Sequence, residues 1–182
     1  MFEKLITKIV RDKKAVKPIA FVLKVLFAYG IWKVCSFFLE TYQPFFWITI
    51  QDDVAYAMVL VSSFVLKNGL GYELIYNSRN VLIENTLGIF IGNHCLGIPA
   101  TVVFMLAILF FSGKWYHKLW YIPFGALAIF CINTSRIVAL GITQKVGSPY
   151  AFYINHSYTF LILVYGLIFL MIMFWMDYFS KE

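Results

Sequence analysis

Cys95, Arg136 and His156 are the side chains in this sequence that could do chemistry together. Each lies at one edge of a different apolar stretch, and the three stretches are consecutive. Helices that cross a membrane in succession alternate in direction. Cys95 opens its stretch, Arg136 falls late in the next, and His156 opens the one after, so all three would meet on one face. A thiol, a permanent cation and an imidazole are the parts of a cysteine nucleophile site. An arginine inside an apolar span is costly and marks a functional position by default.

Cys95 sits in Gly92-Asn93-His94-Cys95-Leu96-Gly97-Ile98-Pro99. The apolar run that follows places it at a helix N-terminus, where the helix dipole and a nearby cation would favour the thiolate. Backbone N–H groups of the same turn would bind a developing oxyanion. A lone cysteine is otherwise a small buried packing residue; the polar and glycine neighbours at a span edge argue for the reactive reading. Arg136 sits in Asn133-Thr134-Ser135-Arg136-Ile137, about 26 Å along a helix counted from Leu119. It could snorkel to lipid phosphate, yet four apolar residues still follow it. Asn133 shares its face and would orient the arginine or a substrate. Asn93 and Asn133 are the candidate substrate-binding residues.

His156, in Tyr153-Ile154-Asn155-His156-Ser157-Tyr158, would act as general base toward Cys95 and general acid toward a leaving amine. The plainer alternative is an interfacial loop histidine. His94 is the rival base, although neighbours at a helix start point in different directions. His117 falls in the loop Ser112–Lys118, on the other side. Cys95, His94 and His156 lack a second cysteine or a nearby carboxylate, so no metal and no cofactor is expected.

These groups must be positioned by membrane helices. Of the 182 residues, 62% are hydrophobic and only 13% charged, against about a quarter charged in soluble domains. This excludes a separate soluble domain. The expected fold is an all-α membrane protein: a multi-pass transmembrane helix bundle of about four spans, one interfacial or re-entrant helix, and a small outer β-hairpin. Spans of about 20 apolar residues are read at Pro18–Leu39, Leu96–Phe111, Leu119–Ile142 and Tyr158–Phe179. The first is too long for a signal-peptide core and reads as a retained anchor.

Net charge is +6, with Lys4, Lys8, Arg11, Lys13, Lys14 and Lys17 gathered in residues 1–17. That is a basic cytoplasmic tail facing lipid headgroups, not a nucleic-acid surface. Residues 18–182 form one integral-membrane domain. With the tail and Ser112–Lys118 both inside, an even number of crossings must separate them. Val54–Leu66 is therefore read as an amphipathic or re-entrant helix at the outer interface, the alternative being a five-span chain with the second half placed the opposite way. Glu40, Asp52 and Asp53 fall in an outer loop, and Lys145 on the outside dissents mildly. Tyr72–Tyr76 and Val81–Glu84, separated by Asn77-Ser78-Arg79-Asn80, carry a hairpin signal. Gly88, Gly92 and Gly97 suit tight turns. Gly147-Ser148-Pro149 is the turn between the last two spans. Cys35 and Cys131, within spans, read as packing residues, and three cysteines make no disulfide framework.

The order Cys95-Leu96-Gly97-Ile98, then Asn133-Thr134-Ser135-Arg136-Ile137, then His156 opening the last span, resembles the exosortase/archaeosortase family. The resemblance covers about residues 50–180, and the chain is similar to a compact bacterial-type member. It implies a multi-pass cysteine transpeptidase or protease in the cell (inner) membrane, with an extracytoplasmic active site. Its partners would be secreted proteins bearing a C-terminal sorting signal: a short motif, an apolar helix and a basic end. Cys95 would form an acyl-enzyme, His156 would shuttle the proton and Arg136 would stabilise charge. The alternative is a non-catalytic assembly partner or small transporter subunit whose Arg136 binds lipid headgroups or an anionic ligand. Co-location of the three groups separates the two readings.

Overall fold

The computed structural model describes residues 13–147 and 160–180. Helix α1 spans Lys13–Tyr42. Helix α2 spans Phe45–Phe64 and runs on through a π-helical turn, Val65–Gly69. Strands β1 (Leu74–Tyr76), β2 (Asn80–Ile83) and β3 (Ile89–Phe90) form an antiparallel sheet in that order. A 3-10 turn at Asn93–Cys95 leads into α3 (Ile98–Phe110), followed by α4 (Trp115–Val146) and α5 (Phe160–Tyr178). The protein is an all-α membrane protein with one small sheet. Residues 1–12 of the basic tail and the turn after Gly147 lie outside the described residues.

Four segments are long and apolar enough to cross a bilayer: Val22–Tyr42, Phe45–Gly69, Trp115–Val146 and Leu161–Tyr178. Helix α3 has only 13 residues, about 20 Å, against about 30 Å of hydrocarbon. The number of long helices matches expectation, but their identity differs. Val54–Leu66 belongs to a segment of 25 residues, and the stretch from Leu96 to Phe111 forms the short helix. Asp52 and Asp53 lie inside α2, not in a loop, and Glu40 lies in the last turn of α1.

Length and path are separate matters, because the contacts fix how each helix runs. Phe27 of α1 meets Phe110 at the end of α3 (5.4 Å between ring centroids), whereas the end of α1 lies beside Asn93, just before α3 begins. The two are therefore antiparallel. Helices α3 and α4 are also antiparallel, with Gly97 against Asn133 and Phe104 against Tyr121 and Gly125. The Tyr121 hydroxyl donates to the Met171 carbonyl of α5 at 2.7 Å, and the Trp175 indole N–H donates to the Ser112 carbonyl at 3.1 Å. Helices α1, α3, α4 and α5 thus alternate in direction.

Helix α2 does not join this alternation. Its beginning lies at Arg79 and Asn93, and its end packs on Ile83 and Gly141. Both places belong to the end of the bundle where α3 starts and α4 finishes. Helix α2 therefore lies across that end and, with the sheet, caps it. Two cores follow from this arrangement. Met58, Val59, Leu66, Val81, Ile83, Ile91 and Leu96 close the capped end against Ile137 and Leu140. Phe104, Tyr121, Ile129, Met171 and Trp175 close the bundle. Gly125 and Gly141 permit close helix approach, since a Cβ at either would press on Phe104 or on Ile83 and Leu66.

The expected hairpin is present, pairing Leu74 with Ile83 and Tyr76 with Val81. A third strand, too short to show a period, pairs Val81 with Ile89 and Asn80 with Phe90. The expected loop Ser112–Lys118 is shorter, because α4 begins at Trp115. Lys118 is buried, and its ammonium donates to the carbonyls of Leu109 (2.9 Å) and Phe111 (2.6 Å). It satisfies the open C-terminal end of α3 and is not a solvated, side-determining lysine. Lys118→Met is expected to leave both carbonyls unsatisfied and to cost about 1.5–3 kcal/mol. A thermal melt in detergent would read this as a lowered midpoint; an unchanged midpoint would show that the Lys118 ammonium contributes nothing to stability. Cys35 and Cys131 lie within the long apolar helices, as expected, on surfaces exposed in the protein alone.

Candidate active site

Cys95 and Arg136 line one small cavity, about 110 Å³, between β3 and α4, together with Phe90, Leu140 and Gln144. Arg136 lies 21 positions after Trp115 in α4, about 32 Å along the axis and so about one hydrocarbon thickness away. The last ten residues of the helix, Ile137–Val146, continue past it into the capped end. The guanidinium is turned inward: Arg136 is half-buried and its Nε is enclosed. His117 lies in the first turn of α4, 19 positions from Arg136, with its ring against Tyr116 and Phe179. It is out of reach, as expected, although it is helical rather than in a loop.

The backbone at Cys95 differs from expectation. Cys95 ends a 3-10 turn, and α3 begins only at Ile98, because Gly97 adopts the left-handed conformation with φ 69°. Cys95 is therefore not in the first turn of the helix, and the helix dipole acts on it from a distance. Its own N–H donates to the Gly92 carbonyl at 2.9 Å, and that of Leu96 points to the Asn93 carbonyl at 3.4 Å. These two N–H groups are engaged and do not supply an oxyanion hole. The cation nearest to hand is Arg136, which lines the same cavity.

Asn133 is buried, and its Nδ2 donates to the Ile129 carbonyl at 3.0 Å. Its carboxamide packs on Gly97, where a Cβ would overlap it. Asn133 therefore sets the spacing of α3 and α4, and its amide N–H is spent on its own helix. The two short motifs meet here, which fixes the distance between the loop carrying Cys95 and the helix carrying Arg136. Gly97→Ala would add a side chain to a left-handed residue, about 1–3 kcal/mol of strain, and force the two helices apart. Expected results are a lower unfolding midpoint and slower alkylation of Cys95; a variant with both unchanged would show that the spacing is not critical.

Asn93 is exposed and faces a second, wider cleft of about 490 Å³, with Gln43, Trp47 and Gln51. Its Oδ1 accepts from Arg79 Nη1 at 2.8 Å. Arg79 also pairs with Asp52 at 2.7 Å and reaches the Ile91 carbonyl at 3.4 Å. Arg79 thus ties α2 to the segment entering Cys95. Its place in a four-residue turn gave no sign of this, because its acid lies 27 positions away. Gln144 was also missed, although it stands two turns beyond Arg136 in the row Arg136–Leu140–Gln144. The structure brings Cys95 and Arg136 together; it places Asn133 behind them and Asn93 beside them. His156 lies outside the described residues, and of His94 only the backbone, in the 3-10 turn, is described. Among the described residues no cluster of His, Cys, Asp and Glu has metal-binding geometry. No family model, curated protein or solved structure matches the chain significantly.

Proposed function

We propose that this chain is a membrane-embedded cysteine transpeptidase or protease of the exosortase/archaeosortase type, acting on secreted proteins with a C-terminal sorting signal at the extracytoplasmic face. The observation that supports it is the shared cavity: Cys95 and Arg136 come from separate elements 41 positions apart and line the same small, partly open space. The thiolate of Cys95 attacks the scissile carbonyl, and Arg136 faces the oxygen that gains charge. Collapse of the tetrahedral intermediate expels the amine of the downstream segment, protonated by a general acid that the sequence assigns to His156. Attack by an acceptor amine, or by water, on the thioester then frees Cys95.

The competing reading, an arginine that binds headgroup phosphate in a non-catalytic subunit, draws support from the depth of Arg136 near a membrane surface. It leaves the placement of Cys95 beside that arginine unexplained. The test is replacement of the chromosomal copy by Cys95→Ser, followed by mass spectrometry of protein C-termini in membrane and medium. The proposal expects a set of secreted proteins to retain an apolar, basic-ended C-terminal segment in the variant only. Identical C-termini in both strains would refute it.

A further inference from the structure

The cavity at Cys95 has one wall made of strand edge. The Ile91 N–H donates to the Arg79 carbonyl at 2.8 Å, and the register pairs Asn80 with Phe90 and Val81 with Ile89. Hydrogen-bonded and non-bonded pairs alternate along an antiparallel ladder. The bonded pairs are therefore Arg79–Ile91 and Val81–Ile89. Phe90 must then direct its N–H and C=O away from β2, to the open edge of β3. On either side along that edge, the outward carbonyls are in use. That of Gly88 accepts from Gln144 Nε2 at 3.0 Å, and that of Gly92 accepts from Cys95 N–H at 2.9 Å. Among the described residues, no hydrogen bond reaches the Phe90 donor and acceptor between them.

Gln144 adds a second open group. Its amide orientation follows from the bond to Gly88, since only the NH₂ can donate to a carbonyl. Its Oε1 is buried and, among the described residues, accepts no hydrogen bond. A buried acceptor of this kind costs stability unless something fills it. The cavity thus presents a backbone donor, a backbone acceptor and a carboxamide acceptor beside a thiol and a guanidinium. At about 110 Å³ it is far below the roughly 300–1,000 Å³ of small-molecule sites. It suits a single extended residue of a longer chain. The wider cleft supplies the entry, because Phe90 lines both spaces and the cleft presents the carboxamides of Gln43, Gln51 and Asn93.

We propose that the substrate polypeptide is held by strand addition: the extended residue next to the scissile bond pairs with the Phe90 backbone at the free edge of β3, and Gln144 Oε1 accepts its neighbouring amide N–H. Main-chain pairing of this kind gives affinity without demanding a particular side chain. It also explains why so short an edge strand stands beside the nucleophile. The inference rests on the cysteine-peptidase reading above.

The test compares two probes on the full chain in membranes, acetyl-trialanyl chloromethyl ketone and 2-chloroacetamide. In both, the Cys95 sulfur displaces chloride and forms a thioether; only the first offers a peptide backbone. The readout is the ratio of the two rates of Cys95 alkylation, followed by mass spectrometry. Phe90→Pro removes the outward N–H alone, since that group takes no part in the ladder, and proline is tolerated on such an edge. Phe90→Ala removes the ring and keeps the N–H. The expected result is a ratio well above that of free cysteine in the wild type, retained in Phe90→Ala and lowered at least tenfold in Phe90→Pro. Should Phe90→Pro fail to accumulate, Gln144→Leu carries the same comparison through the lost acceptor. A ratio unchanged by Phe90→Pro or Gln144→Leu, or no peptide preference in the wild type, overturns strand addition and leaves the nucleophile standing. A Cys95 inert to both probes overturns the peptidase reading and strand addition with it.

Discussion

Cys95→Ser is expected to stop substrate processing while leaving the fold in place. The change replaces sulfur by oxygen in a half-buried side chain that packs at the edge of the capped-end core. The steric consequence is small, so the unfolding midpoint should move little. The chemical consequence is large. A thiol has a small but useful thiolate fraction near neutral pH and is strongly nucleophilic; a hydroxyl depends wholly on base activation. A fall in the rate of cleavage of at least about 10³-fold is expected, since the residues of such a site act as a unit. The measurement is the appearance of trimmed protein over time in cells carrying either allele. Processing at the wild-type rate by the serine variant would remove Cys95 from the mechanism.

Arg136 carries the second large effect, and two substitutions there separate catalysis from lipid binding. Arg136→Gln removes the cation from a cavity it shares with Cys95. A loss of about 10²–10³-fold in processing is expected, the usual result of removing one donor to a developing oxyanion. Arg136→Lys keeps the charge but loses the planar fork of donors, so it should recover only a small part of that loss. Headgroup binding behaves differently, because a lysine snorkels to phosphate about as well as an arginine. Full activity in Arg136→Lys would favour the headgroup reading. Ile137 and Leu140 carry the packing of α4 against the cap, and an unfolding midpoint measured for each variant separates a loss of charge from a loss of fold.

The pairing of Cys95 with Arg136 was legible because it rests on parity: consecutive antiparallel helices return to the same end every second crossing. The hairpin was legible through its Asn-Ser-Arg-Asn turn, which uses the Asn77 side chain to accept from the backbone of Arg79 and Asn80. What stayed hidden depends on tertiary partners. Gln51-Asp52-Asp53 reads as loop, yet Asp52 is an exposed residue of α2 held by Arg79, an interaction with no local signature. Lys118 reads as a solvated loop lysine because the carbonyls that bury it belong to the end of the preceding helix. The left-handed Gly97 separates Cys95 from its helix, and a glycine alone does not announce which of its conformations is used. The free edge of β3 could not be read at all, because two residues carry no strand period.

A reactive Cys95 thiol beside Arg136, in a cavity open to the outer face as proposed, would be reached by a reagent added outside the cell. The direct measurement is labelling of intact cells with a membrane-impermeant maleimide, with adducts located by mass spectrometry in the wild type and in Arg136→Gln. Cys35 and Cys131 lie on exposed helix surfaces within the long apolar segments, where lipid would shield them from a charged reagent. The expected result is rapid modification of Cys95 alone, slowed severalfold or more by Arg136→Gln. Cys95 left unmodified in both proteins, or modified only after the membrane is opened to expose its other face, would contradict it.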